Sequence, residues 1–271
     1  MFARTGNAYT VGITGAPGAG KSTLTGRLIA ARRAAGDEIA VLAVDPSSPF
    51  TGGAVLGDRI RMQEHATDPG VFIRSLATRG HLGGLALAVP EVVRVLDATG
   101  VGWIVVETVG VGQVEVEIAR AADTTVVVVN PGWGDAVQAG KAGLMEIADV
   151  FVLNKADRPG ADETEHDIVA VLAAGGARDW TPPVVRTVAT EGRGAEAVWD
   201  AVAAHRAHLE STGALAARRR ARLHAEVRAI ARAASAVAAD ARCEGPAFDA
   251  LLARVEDRSL DPHAAARTLT G

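Results

Sequence analysis

The chain has 271 residues, 48% of them hydrophobic, a formal net charge of -4 and a single cysteine, Cys243. That length can bury a full core as one large domain or as a domain with an appendage. The slightly acidic balance supplies no global basic field, which argues against a nucleic-acid partner, and a lone cysteine excludes an internal disulfide framework or a cysteine-clustered metal site and suits a reducing cytosol. The opening MFARTGNAYT lacks the apolar segment of a signal peptide, and no apolar run approaches the ~18 residues of a membrane span. The expectation is a soluble, cytoplasmic protein with no membrane partner.

Short β-branched runs alternate with longer helical stretches. YTVGITG, EIAVLAVD, GVFIRSLA, WIVVET, TTVVVVN, DVFVLNK and VVRTVAT are apolar nearly throughout, as strands covered on both faces must be. Between them KSTLTGRLIAARRAAG, LALAVPEVVRVLDATG and DAVQAGKAGLMEIA carry helical periodicity. The alternation predicts an α/β fold, a three-layer sandwich with a mostly parallel sheet. After about Arg193 the strand signal stops, and an Ala/Arg/Leu-rich remainder reads as helical, with breaks at Ser211-Thr212-Gly213, Gly245-Pro246 and Asp261-Pro262. The domain reading is 1–210 for the α/β domain and 211–271 for a C-terminal helical extension.

The first strand runs into GAPGAGKS, Gly15 to Ser22, which fits the phosphate-loop pattern G-x-x-x-x-G-K-[ST] between a strand and a helix. Gly15, Gly18 and Gly20 let the backbone, together with Ala16, Pro17 and Ala19, wrap a β-phosphate, and the helix N-terminus adds positive potential. Lys21 reaches the β and γ phosphates. Ser22 offers a hydroxyl to magnesium, with Thr23 beside it.

A second motif, NKAD, Asn154 to Asp157, follows the strand DVFVL. The Asp157 carboxylate can accept two hydrogen bonds from the ring N–H and exocyclic amine that guanine has and adenine lacks, the Lys155 stem can lie along the base, and Asn154 can tie this loop to the phosphate loop. Because adenine would leave the carboxylate unpaired, the expected nucleotide is GTP or GDP. The turn in TVATEGRG, with Ala189 and Thr190, is the candidate lining for the rest of the base. Asp45 and Glu107 end strands and Asp58 lies in GGAVLGDRIRM, so carboxylates are expected to converge on the ligand crevice. A magnesium ion accepts only one or two of them directly.

VDPSSPFTGGAVLGDRIRM, ETVGVGQVEVE and GDAVQAGKAGLMEIADVFVLNKAD, taken with the phosphate loop, resemble the methylmalonyl-CoA mutase-associated GTPases of MeaB, ArgK and MMAA type, a branch of the SIMIBI P-loop class. The resemblance covers roughly residues 9 to 210 and implies a P-loop NTPase fold. It also implies a GTPase chaperone of an adenosylcobalamin-dependent acyl-CoA mutase, coupling hydrolysis to cofactor loading and protection. Carried onto this sequence, it assigns Asp45, Asp58 and Glu107 to magnesium and switching, Arg61 to charge stabilisation during hydrolysis, and Asp135 and Lys141 to coupling with the partner. Gln113 lies three residues beyond Gly110, displaced from where a water-positioning glutamine stands, so hydrolysis is expected to need the partner's help.

Only about eight residues precede the first strand, where relatives carry a longer helical extension, and contacts made by that extension are not carried over. Trp133 reads equally as a packing residue or as a mark of a subgroup serving another short-chain acyl-CoA mutase. In the tail, Leu223, Val227, Ile230 and Ala234 recur at helical spacing beside a basic run of Arg218, Arg219, Arg220 and Arg222. That run reads as a solvated helix face, and the resemblance makes the helix a dimerisation arm of a homodimer. His65 and His81 read as ordinary polar residues. Two other functions remain open: a nickel-insertion GTPase of the same class, and a small-molecule kinase or transport-linked ATPase.

Overall fold

A computed structural model describes residues 1–45, 63–77, 84–108, 121–133, 142–176 and 178–270. Asp58, Arg61, His81, Gln113, Asp135 and Lys141 lie outside them. Seven strands form one parallel sheet in the order β3-β2-β4-β1-β5-β6-β7. They are β1 (Tyr9–Gly15), β2 (Ile39–Asp45), β3 (Val71–Ala77), β4 (Trp103–Thr108), β5 (Thr124–Val129), β6 (Val150–Asn154) and β7 (Val184–Thr187). β1, β5 and β6 are buried at every residue, which is why these segments read as unbroken apolar runs rather than alternating ones.

The alternate residues of each strand feed two faces. On one, Val11, Ile13 and Val126 pack with Leu24 and Leu28 of α1 (Lys21–Ala34) and with Val198, Trp199 and Val202 of α5 (Ala195–Ser211). On the other, Leu42 and Ile104 meet Val89 and Leu96 of α2 (Gly84–Ala98). Further along that face, Val127 and Phe151 meet Leu144 of α3 (Ala142–Ile147) and Ile168 and Leu172 of α4 (Ala161–Ala174). The result is helix, sheet, helix, as expected from the alternation of periods. Trp133 is buried in this second face, its ring 6.5 Å from that of Phe151; its packing reading is the one the structure supports.

The chain divides into two compact units, Met1–Arg222 and Leu223–Gly271. α6 (Ala214–Arg242) crosses that boundary, and it buries none of its residues. Beyond it lie α7 (Pro246–Glu256) and α8 (Pro262–Thr270). Within Leu223–Gly271, Arg242 Nη1 donates to Leu269 O at 2.8 Å, and Ala265 is the one buried apolar residue among those described. Val227 and Val237 are 66% and 69% exposed, and Leu223, Ile230 and Leu252 are exposed as well.

Of the basic run, Arg218, Arg219 and Arg222 are drawn into ion pairs instead of being left to solvent, while Arg220 is exposed. At the edge of the sheet where β5 and β6 begin, Arg218 donates to both oxygens of Asp149 at 3.0 Å. Arg219 donates to Asp123 Oδ2 at 2.8 Å and to the carbonyls of Gly6 and Ala8. Arg222 pairs with Asp123 and with Ala121 O. Asp123 is only 1% exposed. Burial pushes its carboxyl up, but the hydrogen bond from Arg219 and the charges of Arg222 and Arg219 outweigh burial and hold it below the usual range. The correction has a plain cause: a helix face that looks solvated in sequence meets two carboxylates contributed by residues some 70 to 100 positions away.

Candidate nucleotide site

At the opposite edge, where the strands end, β1 stops at Gly15 and the chain turns through 15–20 into α1. The turn is shaped by what it touches. Gly15 has φ +134°, and a Cβ there would stand 2.0 Å from Val128 O, so only glycine lets β1 lie this close to the end of β5. Gly20, with φ +95°, caps α1 from its N-terminal side, and a Cβ there would stand 2.4 Å from Asn154 Nδ2. Ala19 is buried beneath the loop while Pro17 and Gly18 face outward.

Lys21 is almost wholly buried, and its Nζ donates back across the loop to Gly15 O at 2.8 Å and Ala16 O at 3.0 Å. The ammonium is thereby held over the loop it follows in sequence. Ser22, next along α1, donates through Oγ to Glu107 Oε1 at 2.7 Å. Glu107 is 2% exposed and sits near the end of β4 in register with Ile13 of β1, so the strand pairing carries its carboxylate to the base of α1. Asp45 ends β2 at the same edge, one residue past the pairing of Val44 with Thr108. Thr23 follows on α1, partly buried.

The NKAD loop closes the other side. Asn154, the last residue of β6, donates through Nδ2 to Ala19 O at 2.8 Å. Its Oδ1 accepts from Thr187 Oγ1 and from Ala189 N, each at 3.1 Å. One amide thus joins the phosphate-loop segment to the turn after β7. Lys155 adopts φ 59°, uncommon for a side-chain-bearing residue, and its Nζ donates to Gly18 O at 2.7 Å. Asp157 and Thr190 are exposed and Ala189 is buried.

The structure therefore brings together Gly15 to Ser22, Glu107, Asn154, Lys155 and Ala189. The turn at 189 differs from the sequence expectation in one respect. VVRTVAT reads as a strand to its end, but β7 stops at Thr187 and a 3-10 turn (Ala189–Glu191) follows, with Ala189 N drawn to Asn154 instead of to a neighbouring strand. Thr187 was not among the expected site residues; its position at a strand end opposite Asn154 was the available signal.

The chain matches the family profile described as Methylmalonyl Co-A mutase-associated GTPase MeaB over residues 1–243. It belongs to that family. A putative GTPase of Pyrococcus abyssi is 53% identical over 98% of this chain and 83% of its own length. The mouse protein named methylmalonic aciduria type A homolog, mitochondrial, is 36% identical over 78% of this chain and 52% of its own length. Among solved structures, one titled LAO/AO transport system kinase superposes with a TM-score of 0.69 at 28% identity, covering 99% of this chain and 82% of the other. As a MeaB-family member this protein is a GTPase and binds guanine nucleotide. Among the described residues no helix is long and apolar enough to cross a membrane.

Proposed function

We propose that this GTPase acts as a chaperone of an adenosylcobalamin-dependent acyl-CoA mutase, coupling GTP hydrolysis to cofactor loading and protection of the mutase. The family description and the name of the mouse relative support that partner class. The nucleotide reading rests above all on Asn154, whose single side chain links Ala19 of the phosphate loop to Ala189 of the base turn. Loops joined in this way offer phosphate and base contacts at a fixed separation, which is what binding one nucleotide across both requires.

In this reading Gly15, Ala16, Pro17, Gly18, Ala19, Gly20, Lys21, Ser22 and Thr23 hold the phosphates. Asn154, Lys155, Asp157, Ala189 and Thr190 hold the guanosine, with Asp157 reading the ring N–H and amine from solvent. Ser22, Asp45, Asp58 and Glu107 would hold magnesium. The donor set fits: a hydroxyl and a carboxylate oxygen 2.7 Å apart at the foot of the phosphate loop form the all-oxygen environment a hard cation prefers. When bound, the ion neutralises charge on the β and γ phosphates. Lys21 adds a fixed positive charge and Arg61 a second one, while water attacks the γ-phosphate in line.

Residues 1–210 are the GTPase domain in this proposal and 211–271 a helical extension that makes the protein a homodimer. The exposed Leu223, Val227 and Ile230 on one helix support that role, since a run of apolar side chains in water is an association surface unless something covers it. Light scattering should return twice the 27.8 kDa chain mass, and a paired Val227→Asp, Ile230→Asp change should return the single mass.

The deciding measurement is turnover of GTP and of ATP, alone and with a purified adenosylcobalamin-dependent acyl-CoA mutase. GTP should be preferred, and the mutase should raise its turnover. If the mutase leaves GTP turnover unchanged while nickel or a small metabolite raises it, the chaperone reading fails and one of the two alternative functions replaces it.

A further inference from the structure

Arg27 lies on α1, away from the phosphate-loop motif at the start of that helix, and no motif includes it. Its Nε donates to Ala189 O at 3.2 Å across 162 residues of sequence. The target is specific in what else it does. A peptide unit is planar and trans, so the C=O of residue 189 and the N–H of residue 190 lie in one plane and point in opposite directions. Whatever grips Ala189 O therefore sets the direction of Thr190 N–H.

That N–H is singular within its turn. Ala189 N is taken by Asn154 Oδ1, Glu191 N by Val188 O at 2.9 Å and Gly192 N by Ala189 O at 3.2 Å. Thr190 N has no hydrogen-bond partner among the described residues, and Thr190 is exposed while Ala189 is buried. The turn is also closed firmly. An antiparallel bridge joins Val188 to Arg193, and Gly192, at φ +75°, packs 3.8 Å from the Arg27 stem measured from where its Cβ would be. Two anchors, Asn154 from the sheet and Arg27 from α1, thus hold successive peptides of one rigid turn and leave one donor outward.

We infer that Arg27 is a positioning residue for nucleotide specificity, orienting the Thr190 N–H to donate to the 6-oxo group of a purine. This rests on the guanine-site reading given above. The chemistry follows from the donor count. A 6-oxopurine accepts at that position, whereas a 6-aminopurine presents a donor there and sets N–H against N–H. A guanidinium bonded to the carbonyl also polarises the peptide and strengthens its N–H as a donor. Asp157 reads the 1- and 2-positions, so the two groups contribute separable parts of the discrimination.

The test uses GTP, ITP and ATP with the full chain, because ITP keeps the 6-oxo group and lacks the 2-amine. Arg27→Met retains most of the stem and removes the donor; Arg27→Lys restores a cationic donor. For Arg27→Met, KM for GTP and ITP should each rise about 10-fold with kcat within about 2-fold, the pattern of lost uniform binding, while ATP kinetics stay unchanged. The ITP-over-ATP preference then falls about 10-fold, and Arg27→Lys should recover at least part of it. A merely structural role would lower the melting temperature and shift all three nucleotides together, leaving the preference intact, and that result overturns the inference. If the wild-type chain itself shows no ITP-over-ATP preference, the guanine-site reading fails instead. Asp157→Asn serves as the internal contrast: it should narrow the GTP-over-ITP preference, since only GTP carries the 2-amine, whereas Arg27→Met should leave the GTP-over-ITP ratio in place.

Discussion

The adjacent strands β1, β5 and β6 begin and end in opposite kinds of chemistry. Where they end, the sheet is lined by small residues and backbone: Gly15 against Val128 O, Gly20 against the Asn154 amide, and carbonyls of Gly15, Ala16 and Gly18 capped by the Lys21 and Lys155 ammoniums. Where they begin, the sheet is lined by buried charge and long side chains: Tyr9, Asp123 and Asp149, held by Arg218, Arg219 and Arg222. One end is shaped so that a charged ligand can approach the backbone. The other has its charges already satisfied and accommodates nothing more. Both are polar and both are exacting, but a substitution should act by different routes: through geometry at the first, through uncompensated charge at the second.

Gly15→Val gives the largest effect and tests the first half of the contrast. Its φ of +134° and a Cβ 2.0 Å from Val128 O leave no room for a side chain, so β1 would have to separate from β5. A loss of at least about 4 kcal/mol is expected from strain and lost ladder together. Thermal unfolding and GTP binding should both collapse, and a variant that keeps its melting temperature and nucleotide affinity would show the close approach to be dispensable.

Asp123→Ala tests the second half. It strips the carboxylate from Arg219 and Arg222 and from Thr10 N. Leaving buried or half-buried partners uncompensated typically costs about 3–5 kcal/mol, which for a unit of this size lowers the melting temperature by roughly 10 °C. The comparison is sharpened by kinetics on the surviving fold. KM for GTP should stay within about 2-fold, because the change lies at the far end of strands whose ladders remain intact. A fall in nucleotide affinity comparable to the fall in stability would mean that the two ends are not separable.

The two ends also differ in how far the sequence disclosed them. GAPGAGKS and NKAD are local patterns: the glycines are demanded by the turn they occupy, and the strands before them announce themselves as unbroken apolar runs. The register that sets Glu107 beside Ser22 could be anticipated only as a convergence of strand ends, and the turn at Ala189 was legible in TVATEGRG while the point where β7 gives way to it was not, because Val184–Ala189 carries the same β-branched and apolar residues that a longer strand would. The beginning of the strands left no such local trace. Arg218, Arg219 and Arg222 form a basic helix face like any solvated one, and Asp123 and Asp149 are single acids just ahead of strands. Only packing reveals that they meet, since a pair separated by 69 or more residues leaves no periodicity to detect. Arg27 was invisible for the same reason, its partner being a main-chain carbonyl that any residue at 189 would supply.

The smallest effect concerns pH and depends on His205, which belongs wholly to the starting edge. Its ring is fully buried; Nδ1 meets Thr124 Oγ1 at 2.8 Å, and Thr124 meets Tyr9 OH at 2.7 Å. Nε2 lies 3.2 Å from Asp149 Oδ1, close enough to feel the charge though not aligned as a hydrogen bond. Burial pushes the imidazole down, Asp149 pulls it back up, and Arg218 and His208 push it down further, leaving it at about 4 against the ordinary 6.5. The folded protein therefore holds His205 neutral. The unfolded chain takes up a proton first as pH falls below 6.5, so stability is fully present above that value and declines between about 6.5 and 4. The slope is at most one proton, about 1.4 kcal/mol per pH unit, and the total is no more than about 3 kcal/mol. Below that window the depressed Asp123 carboxyl takes over with the same sign, its contribution being lost as it protonates. Urea unfolding from pH 7 to pH 4 should show the decline in the wild type and a flatter profile in His205→Gln, which cannot titrate. GTP affinity, corrected for the folded fraction, should not follow the His205 profile, because none of the proposed phosphate or base contacts lies at that edge. A nucleotide affinity that tracked it would tie the ionic end of the sheet to the ligand end after all.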